Sequence, residues 1–397
     1  MASSTDHSTR AHALLSASGA SRWMNCTPSA RLEDKYLESL KRKEPESPYA
    51  KEGTLAHEFG DVNLRFLNGE IDEKVRDQEL DKLRNDESYT DEMEDQVDKY
   101  VTYVWETLLS AQRTTPDAEL IIEKRLDFSH LVENGFGTGD ANIISDGVLE
   151  VQDLKYGKGI KVEAKENPQL MLYGSGALRE FELHYDIKTV RLTIIQPRLD
   201  HISTWDISVE DLEDWGEKVV KPKAKKAYKG AGVQKAGDWC KFCKVKAMCA
   251  TLAAKNVKLA QHEFKDPHLL SEQQIIDVYK QIPMLQDWAK AVEKYILDEA
   301  IKGKSWPGYK LVEGRSMRKW ADESKIKEVL SAEGYKDDEY LKMSLEGIGK
   351  IEKLLGKKEF KEKLSDYIIK PQGKPSIADE NDKRPAMGVA QAIEDFS

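Results

Sequence analysis

The chain has 397 residues, 40% of them hydrophobic and 33% charged, with a formal net charge of −10, which describes a globular protein of more than one domain rich in surface helix. That charge argues against a protein that coats nucleic acid non-specifically, although a local basic patch can still serve a nucleic-acid enzyme. The opening MASSTDHSTRAHALL lacks the basic-then-apolar layout of a secretory signal, and no apolar run reaches membrane-spanning length, so no membrane association and a cytoplasmic location are expected.

In chain order, SASGASRWMNCTPSARL is small and polar and holds Cys26. SPYAKEGTLAHEFGDVNLRFL reads as a helix through His57, with Leu55, Phe59 and Val62 apolar. Residues 70–90 are charged and weakly patterned, as exposed helix and loop would be. YTDEMEDQVDKYVTYVWETLLSAQ then sets Met93, Val97, Val101, Val104 and Leu108 on one amphipathic helical stripe. From about residue 117 the period changes to two, and AELIIEKRLDF, GTGDANIIS and VLEVQDLKYG read as three strands. NPQLMLYGSGALRE is a helix with Pro168 in its first turn, and TVRLTIIQPRLD and HISTWDIS return to strand. This order predicts an α/β (α+β) fold, a mixed sheet flanked by helices. SVEDLEDWGEKVV is helical again, and SEQQIIDVYKQI opens on a Ser-x-x-Gln cap. Pro283 is expected to interrupt the pattern before MLQDWAKAVEKYILDEAIKG forms a long helix ending at Gly303. WPGYKLVEGRS suggests a short strand or hairpin, Lys- and Glu-rich helices run to about residue 370, and the polar tail is expected to be disordered.

The chain thus divides into a helical region (1–116) with Cys26 and His57, a sheet core (117–210), a lysine and cysteine segment (211–255), a mainly helical extension (256–370) and a tail (371–397).

The chemistry concentrates in the sheet. Residues two apart on a strand share a face, so Asp153 and Lys155 project together, and Asp140 on the preceding strand can pair beside them. Two carboxylates at such spacing suit Mg²⁺ or Mn²⁺. Such an ion lowers the pKa of a bound water and neutralises phosphate charge, while a nearby lysine orients that water or stabilises developing charge. Alone, Asp-x-Lys reads more readily as a salt-bridged surface strand. GTGD approaches its carboxylate through glycines, which let backbone come close to a ligand. Gln169 and Tyr173, spaced i, i+4, face one way, and His57 can supply a nitrogen ligand. Taken singly, the histidine reads as half-buried and satisfied, and the glutamine and tyrosine as a routine helix pair.

As an ordered set, GTLAH, GTGD, VQDLK and QLMLY resemble the RecB-like branch of the PD-(D/E)XK nuclease superfamily, over about residues 50–205. The resemblance implies a restriction-endonuclease-like core and hydrolysis of linear single- or double-stranded DNA, as an exonuclease working on ends in phage recombination or replication. It implies Mg²⁺ or Mn²⁺ held by His57, Asp140, Asp153 and the backbone carbonyl of Leu154. Lys155 would act on the attacking water, and Gln169 and Tyr173 would position the strand. A catalytically silent DNA-binding or scaffold subunit with the same fold is the alternative.

Four cysteines complete the pattern: Cys26 alone, then Cys240, Cys243 and Cys249 in CKFCKVKAMC. Three close thiolates and one distant partner can enclose zinc or an iron–sulfur cluster. The one-plus-three layout resembles nucleases of the AddB type and the CRISPR adaptation nucleases, which implies a [4Fe–4S] clamp, with zinc the less favoured occupant. Between Lys218 and Lys246 stand ten lysines and one acid, Asp238. Lys221, Lys223, Lys225, Lys226 and Lys229 are therefore candidate phosphate contacts, against the plainer reading of a solvated face.

WPGYKLVEGRS and NDKRPAM resemble the extension of a phage- and prophage-encoded family of RecB-like nucleases. That third reads as a DNA-guiding or homo-oligomerisation module, or equally as plain helical packing. The acidic tip AIEDFS reads either as a docking peptide, for instance for a phage single-strand-binding or recombination protein, or as a solvated tail.

Overall fold

The computed structural model describes residues 13–39, 47–260, 271–304, 306, 307 and 309. All of them fall in the first of two compact units, Met1–Leu311; the second, Val312–Ser397, lies outside the described residues, as do the expectations for WPGYKLVEGRS beyond its first residues, the Lys/Glu helices and the tail.

Five strands form one mixed sheet in the order of the chain: β1 (Glu119–Asp127), β2 (Phe136–Ser145), β3 (Gly147–Leu154), β4 (Ile187–Gln196) and β5 (His201–Ser208). Neighbours run antiparallel except β3 and β4, which pair in parallel. A parallel pair needs a crossover, and α6 (Pro168–Phe181) supplies it. Its start follows from local chemistry: Asn167 accepts the N–H groups of Gln169 and Leu170, and Pro168 stands where a helix has no hydrogen bond to lose. The turn from β2 into β3 rests on Gly147, at φ +85°, a conformation that a side chain would strain.

Strand alternation splits the core in two. Ile144, Leu149, Val151, Val190, Leu192 and Ile194 pack with α6 on one face. Ala141, Ile143, Leu154 and Ile195 meet α3 (Pro48–Leu67), α4 (Glu73–Arg84) and α5 (Asp91–Gln112) on the other. The expected stripe of α5 is the buried one: Met93, Val97, Val101, Val104 and Leu108 all lie inside.

The N-terminal segment is more ordered than its small, polar composition suggests. It forms α1 (Ala20–Asn25) and α2 (Ser29–Ser39), and Trp23, 2% exposed, anchors α1 in the α6-side core. One buried tryptophan outweighs many small polar neighbours, because an aromatic ring of this size removes so much apolar surface from water.

After β5 come α7 (Val209–Trp215), a π-helical turn (Gly216–Val220), α8 (Lys221–Tyr228), α9 (Ala250–Ala260) and α10 (Glu272–Ile301). Short 3₁₀ turns carry Cys240 and Lys246–Met248. Ser271 and Gln274 make the expected reciprocal cap of α10. Pro283 does not interrupt that helix, which runs unbroken for 30 residues. The proline forfeits one hydrogen bond, and the strong helix formers on both sides, Gln281, Leu285, Ala289 and Lys290 among them, carry the helix through it. Among the described residues, no helix is long and apolar enough to cross a membrane.

Candidate metal and active site

β2 and β3 lie antiparallel with Ala141 opposite Gln152, so the next residues along bring Asp140 and Asp153 toward one end of the sheet. Asp140 Oδ2 accepts the Leu154 N–H at 2.7 Å and lies 3.3 Å from His57 Nδ1, delivered by α3. Asp153, 2% exposed, stands 2.6 Å from Lys155 Nζ. Gln169 joins the two: its Nε2 donates to Asp153 Oδ1 at 3.0 Å, and its Oε1 accepts from Lys155 Nζ at 3.2 Å. The same Nε2 reaches Tyr173 Oη at 3.4 Å, as the i, i+4 spacing on α6 requires. Residues from α3, β2, β3 and α6 therefore come together at one end of the sheet in two linked sets, His57 with Asp140, and Asp153 with Lys155, Gln169 and Tyr173. Leu154 contributes its N–H to Asp140, a role the sequence reading did not include.

The chain adds one residue that sequence reasoning missed. Glu123 offers a carboxylate oxygen that lies, with ligand atoms of His57 and Asp140, in a group all within 4.8 Å of one another. It sits in β1 at φ +46°, a strained conformation for a non-glycine residue, between the regular pairs Ile122–Ala141 and Lys124–Gly139. Strain of this kind costs on the order of 1–3 kcal/mol and persists only where the surroundings enforce it. A period-two strand hides such an irregularity, since Glu123 reads in AELIIEKRLDF as one more outward charge.

The electrostatics match a cation site. Burial opposes a charge on His57, but Asp140, by its charge and its hydrogen bond, lifts the imidazole to about 9. Burial and the neighbouring Asp140 push Glu123 up to about 7. Asp140 itself is held below the usual carboxylate range: burial raises it, but His57 and Lys155 together prevail. Asp153 moves the other way, raised chiefly by burial despite Lys155. Lys155 remains a firm ammonium, because Asp153 and Asp140 outweigh the cost of burying it. Asp153 Oδ2 is buried without a directed hydrogen bond, although the ammonium is close. A histidine nitrogen and two carboxylate oxygens, from His57, Glu123 and Asp140, fit an oxygen-loving divalent ion, while Asp153 stands outside that group and is paired with Lys155.

The glycines of GTGD have a different purpose from the one their sequence suggests. A Cβ on Gly137 would meet Tyr173 Cε1 at 2.6 Å, and one on Gly139 would meet Leu126 Cδ1 at 2.9 Å. They make room for side chains of the fold, the Tyr173 ring above all.

The cysteines form a second locus. Cys26 closes α1, which packs on the 3₁₀ turn holding Cys240, and the Cys240 thiol, raised mainly by burial, also feels Cys249 and Cys26. Burial, then the carboxylate of Glu33, push Cys243 up to about 12. Among the described residues, no three cysteine sulfurs lie within 4.8 Å of one another. Protein contacts join the two legs as well. Glu33 accepts the Lys244 N–H at 2.6 Å and pairs with Arg22 at 2.8 Å, while Thr27 Oγ1 donates to the Ala231 carbonyl at 2.6 Å.

Of the five candidate lysines, Lys225, Lys226 and Lys229 are exposed on or just past α8. Lys223 is half-buried, and Lys221 is half-buried and paired with Glu217 one turn back.

Comparison with known proteins gives a family without an assigned activity. A solved structure named "Crystal structure of SSO0001" is 14% identical, over 56% of this chain and 95% of that one, at a TM-score of 0.22, too low to carry an argument. The family model described as "Protein of unknown function (DUF2800)" matches residues 12–385, and the chain belongs to that family.

Proposed function

We propose that this chain is a metal-dependent deoxyribonuclease, an exonuclease acting on DNA ends, of the kind used in phage recombination and replication. One observation carries the reading: six side chains spread from His57 to Tyr173 meet at the same end of β2 and β3, as a His57–Asp140 pair beside a linked set of Asp153, Lys155, Gln169 and Tyr173. A surface salt bridge would need none of that convergence. The order of those residues resembles the RecB-like nucleases, which supports the same reading.

His57, Glu123 and Asp140 would hold Mg²⁺ or Mn²⁺, with Asp153, beside Asp140 on the next strand, as the further ligand that the resemblance implies. When bound, such an ion supplies charge neutralisation at a phosphate and a more acidic water. The protein's own contribution is positional. Gln169 fixes the Asp153 carboxylate and the Lys155 ammonium relative to one another, so Lys155 presents a hydrogen-bond donor and a positive charge without reorganising. Tyr173 keeps its phenolic proton, because burial and the nearby Asp153 charge raise it, and acts as a donor toward a strand.

The cysteines are assigned to a [4Fe–4S] cluster that joins the segment before the core to the one after it. The one-plus-three layout of Cys26 and Cys240, Cys243 and Cys249, which resembles the AddB-type nucleases, supports this choice over zinc. Closing a loop of this length constrains the unfolded chain, and cluster binding adds folding free energy, so the role is structural.

The test uses anaerobically purified protein, wild type beside Lys155→Ala, with Mg²⁺ or Mn²⁺ and linear single- or double-stranded DNA labelled at either end. Wild-type degradation, with a loss of about 10²–10³-fold in the variant, is expected. If neither protein cuts with iron bound and DNA retained, the silent DNA-binding subunit replaces this reading. Zinc in place of iron would revise the cluster assignment.

A further inference from the structure

A second concave site lies away from the carboxylates, between α2 and the loop that follows α8. Its volume is about 580 Å³, and Pro28, Arg31, Leu32, Lys35, Lys229 and Gly232 line it. Three of those six are cations. Arg31 is fastened: Nε donates to the Tyr228 carbonyl at 2.7 Å, Nη1 pairs with Asp34 at 3.1 Å, and the guanidinium lies 4.9 Å from the Tyr228 ring centre. Its Nη2 has no partner among the described residues. Lys35 and Lys229 are exposed, and neither has a carboxylate partner among the described residues.

The wall opposite α2 is shaped by the chain itself. Gly230 and Gly232 take φ of +66° and +104°, and a Cβ at Gly232 would strike Thr27 Oγ1 at 2.3 Å. Only glycine lets this loop lie so close to the N-terminal leg. The result is a pocket with two ammonium groups that have no carboxylate partner among the described residues, a fixed guanidinium and an apolar floor of Pro28 and Leu32. On a chain with a net charge of −10, two unpaired lysines facing one hollow are a local reversal of sign.

We propose that this pocket binds one nucleotide unit of a nucleic-acid strand, by its phosphodiester, with the sugar and base against Pro28 and Leu32. The pocket is too large for a lone phosphate and falls in the range of small-ligand sites. The assignment rests on the nuclease reading and extends it: the site would hold the strand apart from the scissile bond, on the structure that joins the two cysteine legs.

The experiment measures binding without cleavage, using a fluorescent single-stranded oligonucleotide in EDTA, across a range of salt. The Lys35→Glu/Lys229→Glu variant is compared with wild type and with Lys74→Glu/Lys82→Glu, an equal charge change on exposed residues of α4. The pocket variant should lose about tenfold or more in affinity, with a salt slope shallower by about 0.7, while the control stays near wild type. Equal loss in both variants, or none in the pocket variant, overturns the proposal, as does a wild type that does not bind. Competition by inorganic phosphate or a mononucleotide as strong as by the oligonucleotide would assign the pocket to a free ligand and overturn the strand. Cleavage in Mg²⁺, read separately, decides the nuclease reading: a protein that cuts normally but binds unchanged by the variant sinks only the pocket.

Discussion

The carboxylate site and the cysteine site are built by opposite means. The first stands on strand register and two helices, and most of its polar atoms already pair with one another: Gln169 bridges Asp153 and Lys155, while Leu154 and His57 hold Asp140. The second stands on a helix end and 3₁₀ turns, with Cys243 and Cys249 partly exposed and only a few hydrogen bonds tying legs more than two hundred residues apart. A sheet positions side chains by its backbone ladder, so the first site exists before any ligand arrives. Irregular turns have no such ladder, and there the proposed cluster would supply much of the order. Removing a ligand residue should therefore cost function at the first site and stability at the second.

The largest break in that comparison comes from Cys26→Ser. If the cluster clamps a loop of this length, the chain-entropy model puts the loss near 5 kcal/mol. Denaturant unfolding of anaerobic protein should show iron lost and the midpoint lowered; an unchanged midpoint would remove the clamp from the account. Asp140→Asn should behave in the reverse way. Cleavage should fall about 10²–10³-fold, while the unfolding midpoint, read above pH 9 where the His57–Asp140 pair no longer contributes, moves little. A large loss of stability there would mean that the site is structural.

A smaller effect separates protein contacts from cluster contacts in the clamp. Glu33→Ala leaves the Lys244 N–H and Arg22 without their partner, a cost of about 1–3 kcal/mol in urea unfolding. Glu33→Gln, which keeps an acceptor for the N–H, should cost less. Were both variants silent, the Glu33 contacts would not hold the legs together.

The gentlest probe is pH. His57 at about 9 and Glu123 at about 7 must lose protons before they can ligate an ion. Mn²⁺ affinity, followed by calorimetry, should therefore rise between pH 6 and 9, by up to about tenfold per pH unit where one proton is displaced. Glu123→Gln should flatten the lower part of that rise. For the metal-free fold the sign is opposite. The His57–Asp140 pair, with His57 raised from 6.5, stabilises fully below pH 6.5 and ceases to do so as pH rises through 9. A metal affinity flat across this range would exclude both groups as ligands.

Much of this molecule was legible as pattern. Alternation placed β1 to β5, the stripe from Met93 to Leu108 placed α5, and Ser271 and Gln274 marked the start of α10. Spacing alone put Asp153 beside Lys155, and Gln169 beside Tyr173, because strand and helix periods are properties of the backbone. Those are short-range facts, and a linear chain states them directly.

Other features depended on neighbours that no local window contains. Glu123 turns from a surface charge into a possible ligand only where β1 departs from regular pairing opposite Asp140. Gly137 is explained by the ring of Tyr173, on a helix beyond the next strand, and α1 by a core into which Trp23 fits. The contacts of Thr27, Arg31 and Glu33 with residues 228–244 likewise join parts of the chain that only folding brings together. Backbone periodicity is written in adjacent residues. Convergence, close approach and burial are set by the tertiary structure, because they depend on which distant surfaces exclude water from one another.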